Sequence, residues 1–585
     1  MRFSILNLLI PLYLISESHF ILAQDATFDG DIISIPAMGI NKKFFSIELT
    51  LDQDSSPPEY ELTSFSKRSD ITQFIGASTF EGSTLYIPQI DLGDDFYALE
   101  LRLVNLSPPI LRETAKRTVT APVNLSYTLY LGEEIPNRNT EHPADAFGNS
   151  EFLELEGMIA ADVTGDGKDE LIIAPGYIFQ ESNPDLELPI RIFQADESYL
   201  VTDVTNDLIV GEIPTSGWVN SPILVDDFNE DLYQDIFLID HGVEYPISNN
   251  DEFPGHRNIL LLSNGDGTLY DASYTHLPDH LAYNHAGSAG DFDSDGDVDV
   301  VISGFNEYRE QHYPLLNTYI FLNDGEGIFT FADELIPDYE SHIQFTAFSD
   351  PSAGTNFMTD LDGDGFTDII FPSYVGQEGF TTGQTVRIYF GLGGGLFDDP
   401  IVINRPSGVY EGLGFGANQA IAEDLDSNGL KDILIKLENE GEGFWYLQQE
   451  SPRIFKNKNL RSFGSRGVFG LGHDLGSADT FYLYPFNLDD SPDIYIRYGK
   501  FLNNNPDNGD PFLATSMQKN ILINNGEGVF LLPENVEITN QELLTLWSDS
   551  QLIPANINDD DVTDFFVIEI NVEGTKQQIH ALIGN

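Results

Sequence analysis

The chain of 585 residues contains no cysteine, which excludes disulfide bonds, thiol catalysis and thiolate metal ligands. Basic residues are scarce as well: 27 Lys and Arg stand against 95 Asp and Glu, so the formal net charge is -68. A chain of this charge is repelled by nucleic acid and by anionic membrane surfaces, and we expect neither as a partner. Divalent cations are the partners that the charge favours, and they can stabilise a fold that has no disulfides.

Long hydrophobic runs are absent after the first residues. Residues 1–23 combine a basic Arg2, an apolar stretch from Ile5 to Ile15 and a small residue at Ala23, which predicts a secretory signal peptide. A membrane anchor is the alternative, but the apolar stretch is short for a bilayer span. We therefore expect an exported protein, secreted or held at the cell surface or in the periplasm, with no membrane span once the signal is removed.

A long amphipathic helical pattern is also missing, and short segments with alternating apolar and polar residues take its place. This period of two predicts β-strands and hairpins, and 41 Phe and 25 Tyr supply the core of a folded, all-β protein. Residues 24–120 form a first unit, because the segment from Thr27 is repeated from Thr79, 52 positions later (79 − 27). We expect a small β module there, built on this tandem duplication.

From Glu151 onward a longer repeat begins, anchored by a nine-residue acidic loop between two apolar segments. The loops, numbered first to seventh in chain order, are DVTGDGKDE from Asp162, DFNEDLYQD from Asp227, DFDSDGDVD from Asp291, DLDGDGFTD from Asp360, DLDSNGLKD from Asp424, PFNLDDSPD from Pro485 and NINDDDVTD from Asn556. Successive starts are 65, 64, 69, 64, 61 and 71 residues apart. This spacing indicates one supersecondary unit repeated seven times.

A second signature follows the loop within each unit. It consists of an apolar run, a turn rich in Asn and Gly, and another apolar run, as in the segments that start at Ile259, Tyr319 and Asn520. This pattern predicts a hairpin, which with the strands on either side of the loop gives four strands per unit. Four-stranded units repeated radially describe a propeller, so we expect residues 121–585 to form a seven-bladed β-propeller of four-stranded blades.

The last unit ends one strand short, because Asn585 falls where the turn before a fourth strand would begin. An open strand edge promotes aggregation, so the missing strand must come from elsewhere. The segment near residues 125–131 alternates with period two, and its Thr128, Leu129 and Tyr130 match the sequence of a fourth strand in an earlier unit. We expect it to pair antiparallel with the strand near residues 578–583 and to close the propeller.

The loop composition D-x-D-x-D-G-x-x-D suits a hard cation, because calcium takes six to eight oxygen ligands at about 2.3 to 2.6 Å in a tolerant geometry. Acidic side chains at loop positions 1, 3, 5 and 9 converge if the backbone coils tightly, and Gly at position 6 permits that coil. An EF-hand requires a longer loop with a helix on each side. Apolar β-branched segments follow directly here, which excludes the EF-hand.

These repeated loops resemble the FG-GAP/VCBS repeats of integrin α-chain propellers and of many bacterial secreted proteins. The resemblance covers the chain from about Leu155 to the C-terminus. It implies a seven-bladed propeller with several calcium ions bound in loops at one face, and a role in adhesion or protein binding.

The candidate calcium ligands follow the motif residue by residue. The third and fourth loops match it completely, whereas Leu232 replaces the glycine of the second loop and Pro485 removes the first ligand of the sixth, which we expect to lack metal. The remaining loops substitute neutral or longer side chains at some positions. The candidates are Asp162, Thr164, Asp166 and Glu170; Asp227, Asn229, Asp231 and Asp235; Asp291, Asp293, Asp295 and Asp299; Asp360, Asp362, Asp364 and Asp368; Asp424, Asp426, Asn428 and Asp432; and Asn556, Asn558, Asp560 and Asp564.

No nucleophile elbow, zincin motif or phosphate-binding loop occurs, and His276, His280 and His285 lack the helical pattern that would favour a transition-metal site. We expect a calcium-binding scaffold, monomeric and non-catalytic, that binds a protein or takes part in adhesion. A carbohydrate-binding lectin or a polysaccharide-degrading enzyme is the alternative, and a structural component of a secreted assembly is a third. Exposed aromatic residues clustered at one propeller face would favour the carbohydrate alternative.

Overall fold

The structure is a computed structural model, and the strand patterns of the sequence lead to an all-β architecture. It describes residues 26–40, 43–68, 78–132, 134–136, 154–176, 188–217, 219, 223–242, 256–282, 284–304, 318–332, 357–372, 374–375, 385–404, 415–425, 427–437, 443–447, 468–470, 478–487, 489, 491–498, 517, 520–526, 528–540, 549–558, 560, 562–570 and 576–585. The predicted signal peptide lies outside these residues. The chain divides into two compact units, one of residues 1–122, 470–472 and 524–532 and one of the remaining residues.

The N-terminal unit contains eight strands in two related sets. They are β1 (Thr27–Asp29), β2 (Ile32–Ile40), β3 (Lys43–Asp52), β4 (Glu59–Arg68), β5 (Ser78–Glu81), β6 (Thr84–Asp91), β7 (Phe96–Leu106) and β8 (Pro109–Thr118). Each set of four is a meander, and the sets are joined by antiparallel pairing of β4 with β8 and parallel pairing of β2 with β5. Strands β2–β8 thereby close into a seven-stranded barrel around buried aliphatic side chains such as Ile33, Leu85 and Leu101.

The following strands are β9 (Asn124–Tyr130) and β10 (Glu134–Pro136), and then six successive sheets form a six-blade, propeller-like arrangement. The first sheet contains β11 (Glu154–Ala161), β12 (Glu170–Gly176), β14 (Arg191–Ala195) and β15 (Val201–Asp203), and β13 (Leu188–Pro189) and β16 (Thr215–Ser216) form a separate pair beside it in the sequence. The second sheet contains β17 (Leu224–Asp226), β18 (Asp235–Leu238), β19 (Ile259–Ser263) and β20 (Leu269–Asp271). The third contains β21 (Asn284–Gly290), β22 (Asp299–Gly304), β23 (Thr318–Leu322) and β24 (Thr330–Phe331).

The next three sheets repeat the same antiparallel order. The fourth sheet contains β25 (Phe357–Thr359), β26 (Asp368–Pro372), β28 (Thr385–Tyr389) and β29 (Ile401–Asn404). The fifth contains β30 (Phe415–Glu423), β31 (Asp432–Leu437), β32 (Gly443–Leu447) and β33 (Val468–Gly470), and β27 (Tyr374–Val375) extends it at the β30 edge. The sixth contains β34 (Ala478–Tyr484), β35 (Asp493–Tyr498), β36 (Ile521–Asn524) and β37 (Phe530–Leu531). The fifth sheet therefore has five strands where the repeat pattern predicted four.

The C-terminal sheet combines the last repeat with strands from elsewhere in the chain. It contains β38 (Asn535–Thr539), β39 (Asp549–Ala555), β40 (Asp564–Ile570) and β41 (Lys576–Gly584) together with β9 and β10. Strand β9 lies antiparallel to β41, with Tyr130 opposite Ala581 and Thr128 opposite Ile583. On its other side β9 pairs in parallel with β38, a strand that the repeat pattern did not predict.

Apolar side chains from neighbouring sheets fill the spaces between them, as the period-two pattern requires. One cluster joins Tyr127 and Leu129 of β9 to Phe565 of β40 and Tyr495 of β35. Two short helices have defined bounds, α1 (Thr205–Leu208) and α2 (Ser273–His276), each of four residues. In the described part of the chain, no helix has the length and apolar character needed to cross a membrane.

Candidate metal centre

The last carboxylate of each acidic loop is buried at the start of a strand and anchors the loop. In the third loop, Asp299 Oδ2 accepts the backbone N–H of Phe292 at 2.9 Å, and Oδ1 accepts the N–H of Asn323 at 2.8 Å. Phe292 follows the first strand of the blade and Asn323 follows the third, so the carboxylate ties both to the second. The same pair of bonds recurs at Asp235, Asp368 and Asp564.

The first carboxylate of the loop stabilises the coil that the sequence predicted. Asp291 accepts the N–H groups of Asp295 at 3.0 Å and Gly296 at 3.2 Å. Asp360 Oδ2 accepts the N–H of Gly365 at 2.9 Å. Gly296 and Gly365 stand at loop position 6 with φ of 106° and 89°, a backbone region that glycine enters without strain.

Two loops bring three carboxylates together. One oxygen from each residue at positions 1, 3 and 9 lies within 4.8 Å of the other two. The groups are Asp291, Asp293 and Asp299 in the third loop, and Asp360, Asp362 and Asp368 in the fourth. Among the described residues they are the two groups of this kind, and they lie in the two loops whose sequence matches the motif completely.

One oxygen of the third loop is available to a cation. Asp293 Oδ1 is buried and has no hydrogen-bond partner among the described residues. Burial and the neighbouring carboxylates of Asp295 and Asp291 raise the pKa of Asp293. A buried carboxylate oxygen without a hydrogen bond is costly, and an ion of opposite charge removes that cost.

The acids at position 5 have a different environment from those at positions 1, 3 and 9. Asp295 Oδ1 accepts the N–H of Asp297 at 3.1 Å, and Asp364 Oδ1 accepts the N–H of Phe366 at 3.2 Å. Neither belongs to the three-carboxylate groups. The carboxylates of Asp295 and Asp364 therefore stabilise the turn that leads to the second strand of their blade.

Burial makes the last carboxylate of each complete loop a weak acid. It raises the pKa of Asp299 and of Asp368 to about 7, against the backbone hydrogen bonds that lower it, and the nearby acids at positions 3 and 5 raise it further. A bound cation would reverse this balance, because it favours the ionised form of its ligands.

The candidate ligands of the first two loops form hydrogen bonds but, among the residues that the structure describes, no group of three converging carboxylates. Glu170 is fully buried and accepts hydrogen bonds from Thr164 Oγ1 at 3.3 Å and Gln194 Nε2 at 2.7 Å, and burial raises its pKa to about 8. Asp162 caps the turn, and Asp166 accepts the N–H of Lys168. In the second loop Leu232 has a φ of 75° and is 92% exposed.

The second loop has the same coil as the complete loops, although Leu232 stands at the glycine position. Asp227 accepts the N–H groups of Asp231 and Leu232 at 3.0 and 2.8 Å. Asn229 Nδ2 donates to the Ser263 carbonyl oxygen at 3.2 Å. The amide of Asn229 is therefore turned toward the third strand of its own blade.

The fifth, sixth and seventh loops carry the remaining candidates. Asp424 accepts the N–H groups of Asn428 and Gly429, and Asp432 accepts that of Leu425, whereas Asp426 lies outside the described residues. In the sixth loop Asp493 accepts the N–H of Phe486 at 2.9 Å, so the anchor persists although Pro485 supplies no side-chain oxygen.

In the seventh loop, Asn558 Nδ2 donates to Asp560 Oδ2 at 2.6 Å, and Asp564 provides the anchor. Asn556 faces the first loop instead: its N–H donates to Asp169 Oδ2, and its carbonyl oxygen accepts the N–H of Asp169, both at 2.7 Å. Position 1 of this loop thereby links the last repeat to the first.

In the part of the chain that the structure describes, two acid–histidine pairs lie beyond the loops, and the loop motif did not indicate them. Asp240 Oδ2 is 2.8 Å from His256 Nδ1, and Glu569 Oε2 is 3.2 Å from His580 Nε2. Each acid stands five positions after the last residue of its loop, Asp235 to Asp240 and Asp564 to Glu569, so a repeat-by-repeat alignment could have found both.

Of the three histidines named above, His276 and His280 belong to no metal-binding group in the described part of the chain. His276 Nδ1 is 2.7 Å from Thr275 Oγ1, and the His280 ring packs against Tyr319 with centroids 5.0 Å apart. The side chain of His285 lies outside the described residues.

Residues 227–302 match the family model of the FG-GAP-like repeat. The matched region starts at the first residue of the second loop and ends in β22, so it spans one complete repeat and the third loop. No curated protein matches the chain.

Comparison with solved structures gives distant likenesses. The crystal structure of BBS1N in complex with ARL6DN, soaked with lead, has 9% identity and a TM-score of 0.35, with 77% of this chain and 96% of that chain covered. The Tc holotoxin pore of Photorhabdus luminescens has 11% identity and a TM-score of 0.29, with 92% of this chain and 18% of that one covered. TM-scores below 0.5 add nothing to the fold or the function.

Proposed function

We propose, from the match of residues 227–302 to the FG-GAP-like repeat, that the chain is a secreted, calcium-binding propeller of seven blades that acts as a non-catalytic scaffold for binding a protein or glycan ligand. In this proposal the C-terminal sheet is the seventh blade, and β9 completes it from the N-terminal side. Calcium holds the loops at one end of the strands, which leaves the other end free for a ligand.

The observation that carries the proposal is the carboxylate group of the third loop. Asp291, Asp293 and Asp299 converge within 4.8 Å, and the buried Asp293 Oδ1 has no hydrogen-bond partner among the described residues. Carboxylate oxygens are the ligands that calcium prefers, and three of them in one turn repel each other without a cation. The residues present therefore fit calcium, with the Asp360 group as the second site.

Calcium would supply positive charge that neutralises the converging acids. The protein residues would divide the other tasks: Asp299 and Asp368 fix each loop to two strands, and Asp291 and Asp360 hold the coil. A cation that binds only the native state stabilises that state. Calcium in these loops would therefore stabilise the connections between neighbouring strands of a blade.

Calcium titration by calorimetry tests the proposal. We expect Asp293→Asn and Asp362→Asn each to remove one high-affinity site, because each removes a charged oxygen at position 3. Asp207→Asn is the matched control, since Asp207 is an exposed acid in α1, outside every loop. Calcium binding that is absent in the unaltered protein, or unchanged in both loop variants, would rule the proposal out.

Export depends on the first residues and has a separate test. The protein should be made with its own residues 1–23 and collected from outside the cytoplasm. Sequencing its N-terminus should return Gln24 as the first residue. An N-terminus at Met1 in an exported protein would contradict the signal peptide.

A lectin or polysaccharide-degrading enzyme is the second candidate, and one observation favours the lectin. Tyr274 is 80% exposed and lies beside polar side chains beyond the end of β20, away from the loops. An exposed ring next to hydrogen-bonding groups is the surface that a sugar requires.

A further inference from the structure

A surface beyond the far ends of β18 and β20 combines an aromatic ring with three polar side chains. We call it the Tyr274 patch and define it by His256, Arg257, Tyr274 and Asp279. Strand β18 starts at the second loop and runs away from it, and the antiparallel order of β18, β19 and β20 brings the end of β20 to the same far end. The patch is therefore separate from the candidate calcium sites.

The turn that carries Tyr274 is firmly anchored. Ala272 and Ser273 are buried, at 0% and 3% exposure. Ala272 N–H donates to the Leu260 carbonyl oxygen at 2.8 Å, and Leu260 N–H donates to Ser273 Oγ at 3.0 Å. The next residue, Tyr274, is 80% exposed, so a rigid support presents a large apolar ring to solvent.

Arg257 orders the surroundings of that ring. Its guanidinium carbon lies 5.0 Å from the Tyr274 ring centroid, a cation–π contact. Its Nη1 donates to the Pro278 carbonyl oxygen at 2.9 Å, and its Nη2 donates to Asp279 Oδ1. The Arg257 side chain is 15% exposed whereas that of Asp279 is 93% exposed, so the arginine forms the base and the carboxylate projects beside the ring.

A buried carboxylate positions His256 next to Arg257. Asp240 is fully buried, and its oxygens accept the N–H groups of Gly217 at 2.9 Å and Gly242 at 2.8 Å. His256 Nδ1 lies 2.8 Å from Asp240 Oδ2, with the imidazole 23% exposed. The carboxylate of Asp240 therefore places the imidazole at the edge of the patch, beside Arg257.

We propose that the Tyr274 patch is a binding subsite for a neutral saccharide. The C–H face of one sugar ring stacks on Tyr274, Asp279 accepts hydrogen bonds from hydroxyl groups, and Arg257 supplies a donor. This inference names the ligand class of the proposed binding scaffold and rests on that function.

The composition of the patch favours a saccharide over a protein. A protein interface has a continuous apolar centre, whereas the Tyr274 ring lies beside the Arg257 guanidinium and the exposed Asp279 carboxylate. Planar polar side chains beside one aromatic face match the alternating C–H and hydroxyl surface of a sugar. The net charge of -68 and the exposed Asp279 disfavour uronates and sulfated glycans.

The test is an array of neutral hexose and pentose oligosaccharides, with oligouronates beside them, followed by calorimetry on the best ligand. The full chain is used in excess calcium. We expect a neutral oligosaccharide to bind, Tyr274→Ala to weaken binding by about tenfold or more, and Tyr274→Phe to retain it because the ring remains. Asp279→Asn should weaken binding less than Tyr274→Ala.

Leu106→Ala is the matched control, since Leu106 is a 66% exposed apolar side chain in the N-terminal barrel. No saccharide bound by the unaltered chain, or equal affinity in Tyr274→Ala, would overturn the proposal. A protein ligand whose binding needs Tyr274 while no sugar binds would overturn it as well. The patch is remote from the loops, so saccharide binding can be tested separately from calcium binding. If a variant with both Asp293→Asn and Asp362→Asn still binds the saccharide, the saccharide proposal holds even if the protein binds no calcium.

Discussion

The backbone N–H of Gly394 donates to the carbonyl oxygen of Asp293 at 2.7 Å, which links the fourth blade to a candidate ligand of the third loop. Gly391, three residues earlier in the same turn, donates its N–H to Asp368 Oδ1 at 2.8 Å. One glycine-rich turn thus holds a residue of each candidate calcium site. A side chain at Gly391 is excluded, since its Cβ would lie 2.3 Å from the Thr367 carbonyl oxygen.

This turn predicts coupling between the two sites. We expect Asp362→Asn to weaken calcium binding at the third loop by several-fold, in addition to removing the fourth site, because loss of the ion loosens Asp368 and the turn it holds. Calorimetric titration of Asp362→Asn, Asp293→Asn and the double variant measures the effect. Asp162→Asn, in the first loop, is the control. Third-site affinity that is identical with and without the fourth site would contradict the coupling.

Chelation should lower the melting temperature, because a cation bound only by the native state stabilises it by about 2.7 kcal/mol at a hundredfold excess over Kd. The third and fourth loops should fill first and the sixth never. Melting curves of the unaltered chain and of Asp291→Asn with Asp360→Asn, with and without chelator, check this expectation. The double variant should respond least to the chelator. A response as large as that of the unaltered chain would show that the stabilising ions bind elsewhere.

Leu232→Gly should stabilise the protein by roughly 1 kcal/mol, since Leu232 holds a φ of 75° that glycine adopts without strain. Calcium affinity of the second loop should rise for the same reason. Leu232→Ala is the control, because it removes the exposed side chain and keeps the strained backbone. Equal melting temperatures for the two variants would mean that the leucine conformation is not strained.

Tyr127 should tolerate loss of its hydroxyl group but not of its ring. The ring is 1% exposed in the core between β9 and Phe565, and its hydroxyl oxygen has no hydrogen-bond partner among the described residues. We expect Tyr127→Ala to cost about 3 to 5 kcal/mol and Tyr127→Phe to be neutral or stabilising. Ser126→Ala, on the exposed face of β9, is the control in chemical unfolding. A loss of unfolding free energy well below this range in Tyr127→Ala would indicate that β9 contributes little to the stability of the C-terminal sheet.

Acid should destabilise the fold in part through His241. Burial lowers the pKa of His241 to about 4, although a hydrogen bond to the Gly242 carbonyl oxygen and the charge of Asp240 oppose the shift. Between pH 6.5 and 4 the unfolded chain therefore takes up a proton that the folded chain does not, so stability falls as the pH falls through this window.

His241→Asn keeps a donor and removes this titration. Its unfolding free energy should change less between pH 7 and pH 4.5, by about 1.4 kcal/mol per pH unit at most relative to the unaltered chain. Superimposable pH profiles for the two proteins would show that His241 titrates in the same way in the folded and unfolded states.

The sequence predicted the all-β class and the loops well because both are local. Alternation with period two determines which side chains of a strand face the core, and nine residues suffice to specify the coil around Asp291. The closure of the barrel by β2 with β5 and the parallel pairing of β38 with β9 were not predictable. Each depends on contacts between distant segments, and neither leaves a mark in the local pattern.

The same distinction applies to the candidate site. The sequence specifies which residues carry oxygens, but the structure decides that positions 1, 3 and 9 converge while Asp295 and Asp364 bond to the following turn. The Tyr274 patch was beyond prediction for a further reason. Its parts come from segments near residues 240, 256 and 274, which are brought together by the hydrogen bonds of one blade.

The position of β9 between two strands has a mechanical consequence. The chain enters β9 from the N-terminal barrel, and β9 is bonded along one side to β41 and along the other to β38. A pull along β9 would load both rows of hydrogen bonds in shear, so the strand would have to slide out as a whole rather than peel away one bond at a time. Strand β9 is therefore held in the C-terminal sheet in a way that resists tension along the strand.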